Sequence, residues 1–187
     1  MHKGTTIALI AAVAQGSRAI ASEKDPYILW RQPTHLSRVR YLASKSSAVL
    51  LGWHTFGLFN ALNDSPISDS RILVLTRGHD KMVREAGGIP VRSLVDAVRE
   101  AKGFRVLVVG GSQVFRDVIP HADYIHLTVV YEQLESDIVF PFVDAAEWGS
   151  LPANRLSRLR YMDSDAHETS YEYRTRIGTT QPIVPGA

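Results

Sequence analysis

The chain has 187 residues, a formal net charge of +2 and 45% hydrophobic residues, the make-up of one ordinary globular domain large enough to bury a full core. No block of like charges marks a nucleic-acid or membrane surface, and with no cysteine there is neither a disulfide framework nor a thiolate metal site. The histidines show no ligand-like spacing, so no metal is expected, and the cysteine-free chain fits the cytoplasm.

The chain opens with Lys3 and the run TTIALIAAVA, which has the look of a short secretory signal. The run is far too short to span a bilayer, and a buried first strand from Thr5 to Ala14 accounts for it. A polar, glycine-containing loop follows from Gln15 to about Tyr27, anchored by Ile20. Pro33 suits the first turn of a helix, with Thr34 near its cap and Leu36, Val39, Arg40 and Ala43 at three- and four-residue steps. Ala48 to Leu51 reads as a short buried strand stopped by Gly52, and Trp53 to Asn60 as a helix. After a turn-rich stretch, Arg71 to Leu75 returns to the strand pattern and ends at Thr76-Arg77-Gly78. Ser93-Leu94-Val95-Asp96 is a capping box with Asp in place of Glu, opening a helix to about Ala101.

Val106 to Val109 then has the composition of a strand buried on both faces. It stops at Gly110-Gly111 and restarts as a helix through Ser112, Gln113, Val114 and Phe115. Such a junction leaves backbone N–H groups free, and without a Cβ an anion such as a diphosphate can approach them closely. Tyr124 to Tyr131, Leu156 to Met162 and Ser170 to Ile177 alternate like strands, the last two able to pair as a hairpin. A single domain over 1–177 with a loose tail at 178–187 is expected. Strands alternating with helices, then a closing hairpin, point to a mostly parallel sheet with an antiparallel edge.

The order of short motifs resembles the dihydrofolate reductase family over nearly the whole length, from Ile7 to Arg176. The marks are Ile10 to Ala14; Trp30 with Pro33 and Leu36; Gly52-x-x-Thr55-Phe56; Leu73-Val74-Leu75-Thr76-Arg77; Val109 to Phe115; Leu127-Thr128; and Asp137 leading to Phe140-Pro141 and Trp148. The resemblance implies an α/β fold with an eight-stranded, mostly parallel sheet, helices on both faces and an antiparallel C-terminal edge hairpin. It also implies NADPH lying across the carboxyl ends of the strands. The cofactor would meet Gly110, Gly111, Ser112, Gln113, Val114 and Phe115, with that Gly–Gly bond in cis as in the family. Trp53, His54, Thr55 and Leu75 would add contacts, Thr76 and Arg77 would hold the 2′-phosphate, and Ala12 and Ile20 would touch the nicotinamide. An arginine at position 77 favours NADPH over NADH.

The substrate half departs from the family. Where the family has an Asp or Glu that accepts hydrogen bonds from the pterin, this chain has His35. A neutral imidazole offers one donor and one acceptor, not two coplanar acceptors. His35 is a candidate proton donor, because its ordinary pKa of about 6.5 suits that work, while a partly exposed helix residue without a role is the alternative. Trp30 and Thr128 match the family's residues beside an ordered water and beside the missing carboxylate. Ile10, Ala11, Leu36, Val39, Phe59 and Ile67 would line the apolar slot. Trp53 replaces an arginine of the family, and Arg71 is a substitute, one residue late, for the clamp on the folate tail. The expected activity is NADPH-dependent reduction of 7,8-dihydrofolate or a related pterin by a monomer or homodimer. The alternatives are reduction of another heterocycle, such as a ribosylaminopyrimidine of flavin synthesis, and NADPH binding without turnover.

Overall fold

A computed structural model of the chain describes residues 4–22, 29–150 and 169–178. The aliphatic opening is strand β1 (Thr6–Ala14), with every residue after Thr6 buried. Helix α1 (Pro33–Ser44) starts at the expected proline and buries His35, Val39, Leu42 and Ala43. Strand β2 (Ala48–Gly52) runs directly into α2 (Trp53–Asn60), and β3 (Ile72–Leu75) follows. Two short elements come next that the hydrophobic pattern did not reveal: α3 (Asp80–Glu85) and β4 (Ile89–Val91).

Helix α4 (Leu94–Ala101) begins as the capping box predicts, with the Ser93 hydroxyl accepting from the Asp96 N–H at 3.1 Å. Strand β5 (Arg105–Gly110), helix α5 (Ser112–Val118), a 3-10 turn and strand β6 (Tyr124–Val130) complete the parallel part. The chain closes with β7 (Trp148–Ser150) and β8 (Thr169–Arg176).

The strands form one eight-stranded sheet in the order β4-β3-β2-β5-β1-β6-β8-β7. The six from β4 to β6 are parallel, and β8 runs antiparallel to both β6 and β7. The antiparallel edge is therefore as expected, but β8 pairs with Trp148–Ser150. The other expected hairpin strand, Leu156 to Met162, lies outside the described residues, as does the tail beyond 178.

Alternation along the strands divides the core. Ala8, Ile10, Leu51, Leu107 and Val109 face α1 and α2, packed with Val39, Phe56 and Phe59. Leu9, Leu50, Leu73, Val106 and Val108 face α4 and α5 on the other side. Leu50 and Leu107 are wholly buried, and each contributes about 2 kcal/mol by leaving water. Among the described residues no helix is long and apolar enough to cross a membrane.

Candidate active site

At the carboxyl rim of the sheet, β2 and β5 both end on glycines that lie side by side. A Cβ built on Gly52 would sit 3.1 Å from Val114 Cγ2 and 3.8 Å from the Gly111 nitrogen. One on Gly111 would lie 3.2 Å from the Thr55 hydroxyl, so only glycine leaves this corner open. The Gly110–Gly111 bond is cis.

Beside these turns runs a cleft of about 830 Å³. Trp53, His54, Leu75, Thr76, Arg77, Gln113 and Val114, all expected at the cofactor, line it, with Arg77 and His54 exposed. Phe115 instead points into the core, packed against Phe140 with ring centroids 5.0 Å apart. The Ser112 hydroxyl is committed to the Val139 carbonyl at 2.8 Å, so its side chain is not a phosphate donor.

The cleft also holds residues that the sequence motifs missed, chiefly His79 and Arg92. The His79 ring lies flat on Trp53, with centroids 4.4 Å apart and planes 5° apart, and its Nδ1 is 3.2 Å from the Thr76 hydroxyl. Trp53 thus has a stacking partner where the family's arginine would stand. Arg92 is clamped by both Asp80 carboxylate oxygens at 2.8 and 2.6 Å and donates to the Thr76 carbonyl. Both residues sit in or beside α3 and β4, so the signal that would have found them is the same one that hid those elements.

Along the rim, Ala12 on β1 is buried and registers with Thr128 on β6. Ile20 is partly buried, and its N–H donates to the Ile138 carbonyl at 2.9 Å. Ala19 bridges Val139, and the Phe140 N–H donates to the Arg18 carbonyl at 2.8 Å. The loop after β1 is therefore laced to the segment that Ser112 also holds.

His35 departs furthest from expectation. It is not partly exposed but 2% exposed on the inner face of α1, and its Nδ1 lies 3.0 Å from Thr128 Oγ1. Burial, aided by the nearby Arg38 guanidinium, lowers its pKa to about 3. Burial thus disfavours the imidazolium, against the expectation of a proton-donating ring. Arg38, one helical turn on, donates to the same Thr128 hydroxyl at 2.9 Å and lies over the Tyr171 ring at 4.7 Å. Its three-residue spacing from His35 was the signal for it. The Tyr171 hydroxyl meets Nδ1 of His126, a second buried histidine whose pKa burial also lowers to about 3.

Trp30 stacks on Phe59 with centroids 4.6 Å apart, forming an aromatic wall on this face. Ile10, Val39 and Ile67 are sealed in the same core, while Leu36 keeps partial exposure. Two expected substrate contacts fall elsewhere. Ala11 points to the α4–α5 face, as alternation from Ile10 requires, and only its backbone remains available to the slot. Arg71 bonds to the Glu100 carbonyl at 3.0 Å and to its carboxylate at 3.1 Å, on α4 and so behind the sheet. The one-residue offset put it on the wrong face for a substrate clamp.

The chain is 28% identical to a dihydrofolate reductase of Bacillus subtilis over 126 residues, covering 67% of this chain and 71% of that one. It is 26% identical to the type 3 dihydrofolate reductase of Salmonella typhimurium over 171 residues, covering 90% and 96%. The structure of an Enterococcus faecalis dihydrofolate reductase, complexed with NADP(H) and RAB-propyl, superposes with a TM-score of 0.70 at 21% identity, covering 92% of this chain and 96% of that one. The model of the family described as dihydrofolate reductase matches residues 6–175. With nearly the whole described sheet inside that match, the chain belongs to the dihydrofolate reductase family, a family of NADPH-dependent oxidoreductases.

Proposed function

We propose that the chain reduces a C=N bond of a reduced pterin, 7,8-dihydrofolate being the first substrate to test, at the expense of NADPH. The observation that carries this reading is the junction of two rim turns and a cleft: Gly52 and Gly111 let the turns pack on Val114 and Thr55 more closely than a Cβ would allow, with Gly52 itself lining the cleft. The cleft beside them offers Arg77, His54 and the Trp53–His79 stack to a phosphorylated adenosine. That donor set fits the cofactor named for the Enterococcus relative. When bound, NADPH supplies the hydride, and the protein's part is placement, exclusion of water and electrostatics.

On the substrate side, Trp30 and Phe59 form a flat apolar wall for a heterocycle. His35, hydrogen-bonded to Thr128, offers a polar contact at its edge. With burial disfavouring a charged His35, the proton is drawn from water rather than from the ring.

A second reading, reduction of another heterocycle such as a ribosylaminopyrimidine, is favoured by the absence of a carboxylate at position 35. NADPH oxidation followed with dihydrofolate, then with the pyrimidine, separates the two. Turnover of dihydrofolate is expected. Turnover of the pyrimidine alone would replace the first reading with the second, and cofactor binding without turnover of either would remove both.

A further inference from the structure

Thr128 Oγ1 lies within hydrogen-bond distance of both Arg38 and His35. Arg38 carries only donors, so at Thr128 Oγ1 its NH1 must donate, at 2.9 Å. That hydroxyl has a second lone pair and one proton, so it can accept from an Nδ1–H or donate to a bare Nδ1 of His35, 3.0 Å away; polarisation by the guanidinium favours donation. With Nδ1 accepting, the single proton of a neutral imidazole sits on Nε2. Among the described residues the His35 side chain makes no other hydrogen bond. The Tyr171 ring beneath the Arg38 guanidinium, at 4.7 Å, helps fix the start of the relay. Strand register fixes its middle, with Thr128 between Ala12 on β1 and Tyr171 on β8.

We propose that Arg38 decides which heterocycle the pocket accepts: acting through Thr128, it sets His35 as an Nε2–H donor. The edge presented to His35 then bears a carbonyl oxygen, whereas the ring nitrogens of a diamino compound are flanked by N–H donors that meet the Nε2–H less well. A carboxylate at the same place would select the opposite edge, an amino group beside a ring N–H. The pocket therefore prefers a dioxo heterocycle to a diamino one, and a 2-amino-4-oxo pterin meets His35 through its oxo oxygen. Arg38 is a positioning residue here, since it acts through Thr128. The inference rests on the reading of this pocket as the head-group site given under Proposed function.

The test uses the whole protein, with and without saturating NADPH. Calorimetry compares 2,4-dioxopteridine with 2,4-diaminopteridine, and ¹⁵N NMR reads the ring tautomer of His35, assigned by its loss in His35→Asn. The dioxo compound is expected to bind roughly tenfold or more tightly, with the Nε2–H tautomer in the unliganded protein. Arg38→Met is expected to abolish the preference and release the tautomer, while Arg38→Lys, still a donor, restores both. An Nδ1–H tautomer in the unmodified protein overturns the proposal even if Arg38→Met does not fold. So does equal or tighter binding of the diamino compound, or no binding of either. NADPH binding is recorded in the same titrations: its loss with the dioxo preference intact refutes the proposed cofactor role alone. Retained NADPH binding without the preference refutes the inference alone.

Discussion

The two buried histidines give this protein an acid sensitivity that can be calculated. His35 and His126 are 2% and 0% exposed, and burial holds both near a pKa of about 3. In the unfolded chain each titrates near 6.5, so between those values the unfolded state binds more protons than the native one. Stability therefore rises with pH across that window and is lost as pH falls from about 6.5 towards about 3. Going from about pH 7 to about pH 5 costs about 2 kcal/mol for each histidine, so about 4 kcal/mol for the pair. Against a typical total of roughly 5–15 kcal/mol, that is a large share. Urea unfolding of the unmodified protein and of a His35→Asn, His126→Asn double variant at both pH values isolates the effect, because carboxylate titration is common to the two. The variant is expected to be weaker at neutrality, having lost two buried hydrogen bonds, but to lose about 4 kcal/mol less on acidification. Parallel losses would mean that the rings are hydrated or charged in the native state, which a neutral, buried His35 excludes.

Three further outcomes are expected. Arg77→Ser weakens NADPH binding by roughly tenfold while leaving NADH unchanged, read by calorimetry with both dinucleotides, since an exposed arginine at the cleft acts on the extra phosphate. His35→Asp raises dihydrofolate turnover and tightens binding of diamino antifolates, because it restores two coplanar acceptors; steady-state kinetics and inhibitor titration decide it. Leu50→Ala, at a wholly buried position between the sheet and α4–α5, costs about 2–5 kcal/mol in denaturant unfolding without changing the substrate ranking.

Local chemistry made much of the fold legible. Pro33, Gly52, the Ser93 box and Gly110-Gly111 each placed an element boundary within a residue or two of where it lies. Helix α3 and strand β4 escaped because they span only Asp80–Glu85 and Ile89–Val91, too short for either period to show. Pro90 is tolerated in β4 because that strand lies at the sheet edge. In the site, motif order located the rim residues, but burial was not legible. A histidine on a helix reads the same whether its face meets solvent or core, so the burial of His35 needed tertiary structure. Arg71 shows the converse: its type suited a clamp, and strand parity sent it behind the sheet.

Pro90 has a further effect. It sits in β4, the outermost strand on that side, opposite Val74 of β3. A chain seeking to extend the sheet there would find a hydrogen-bond donor missing midway along an already brief ledge, which discourages edge-to-edge clumping of crowded copies.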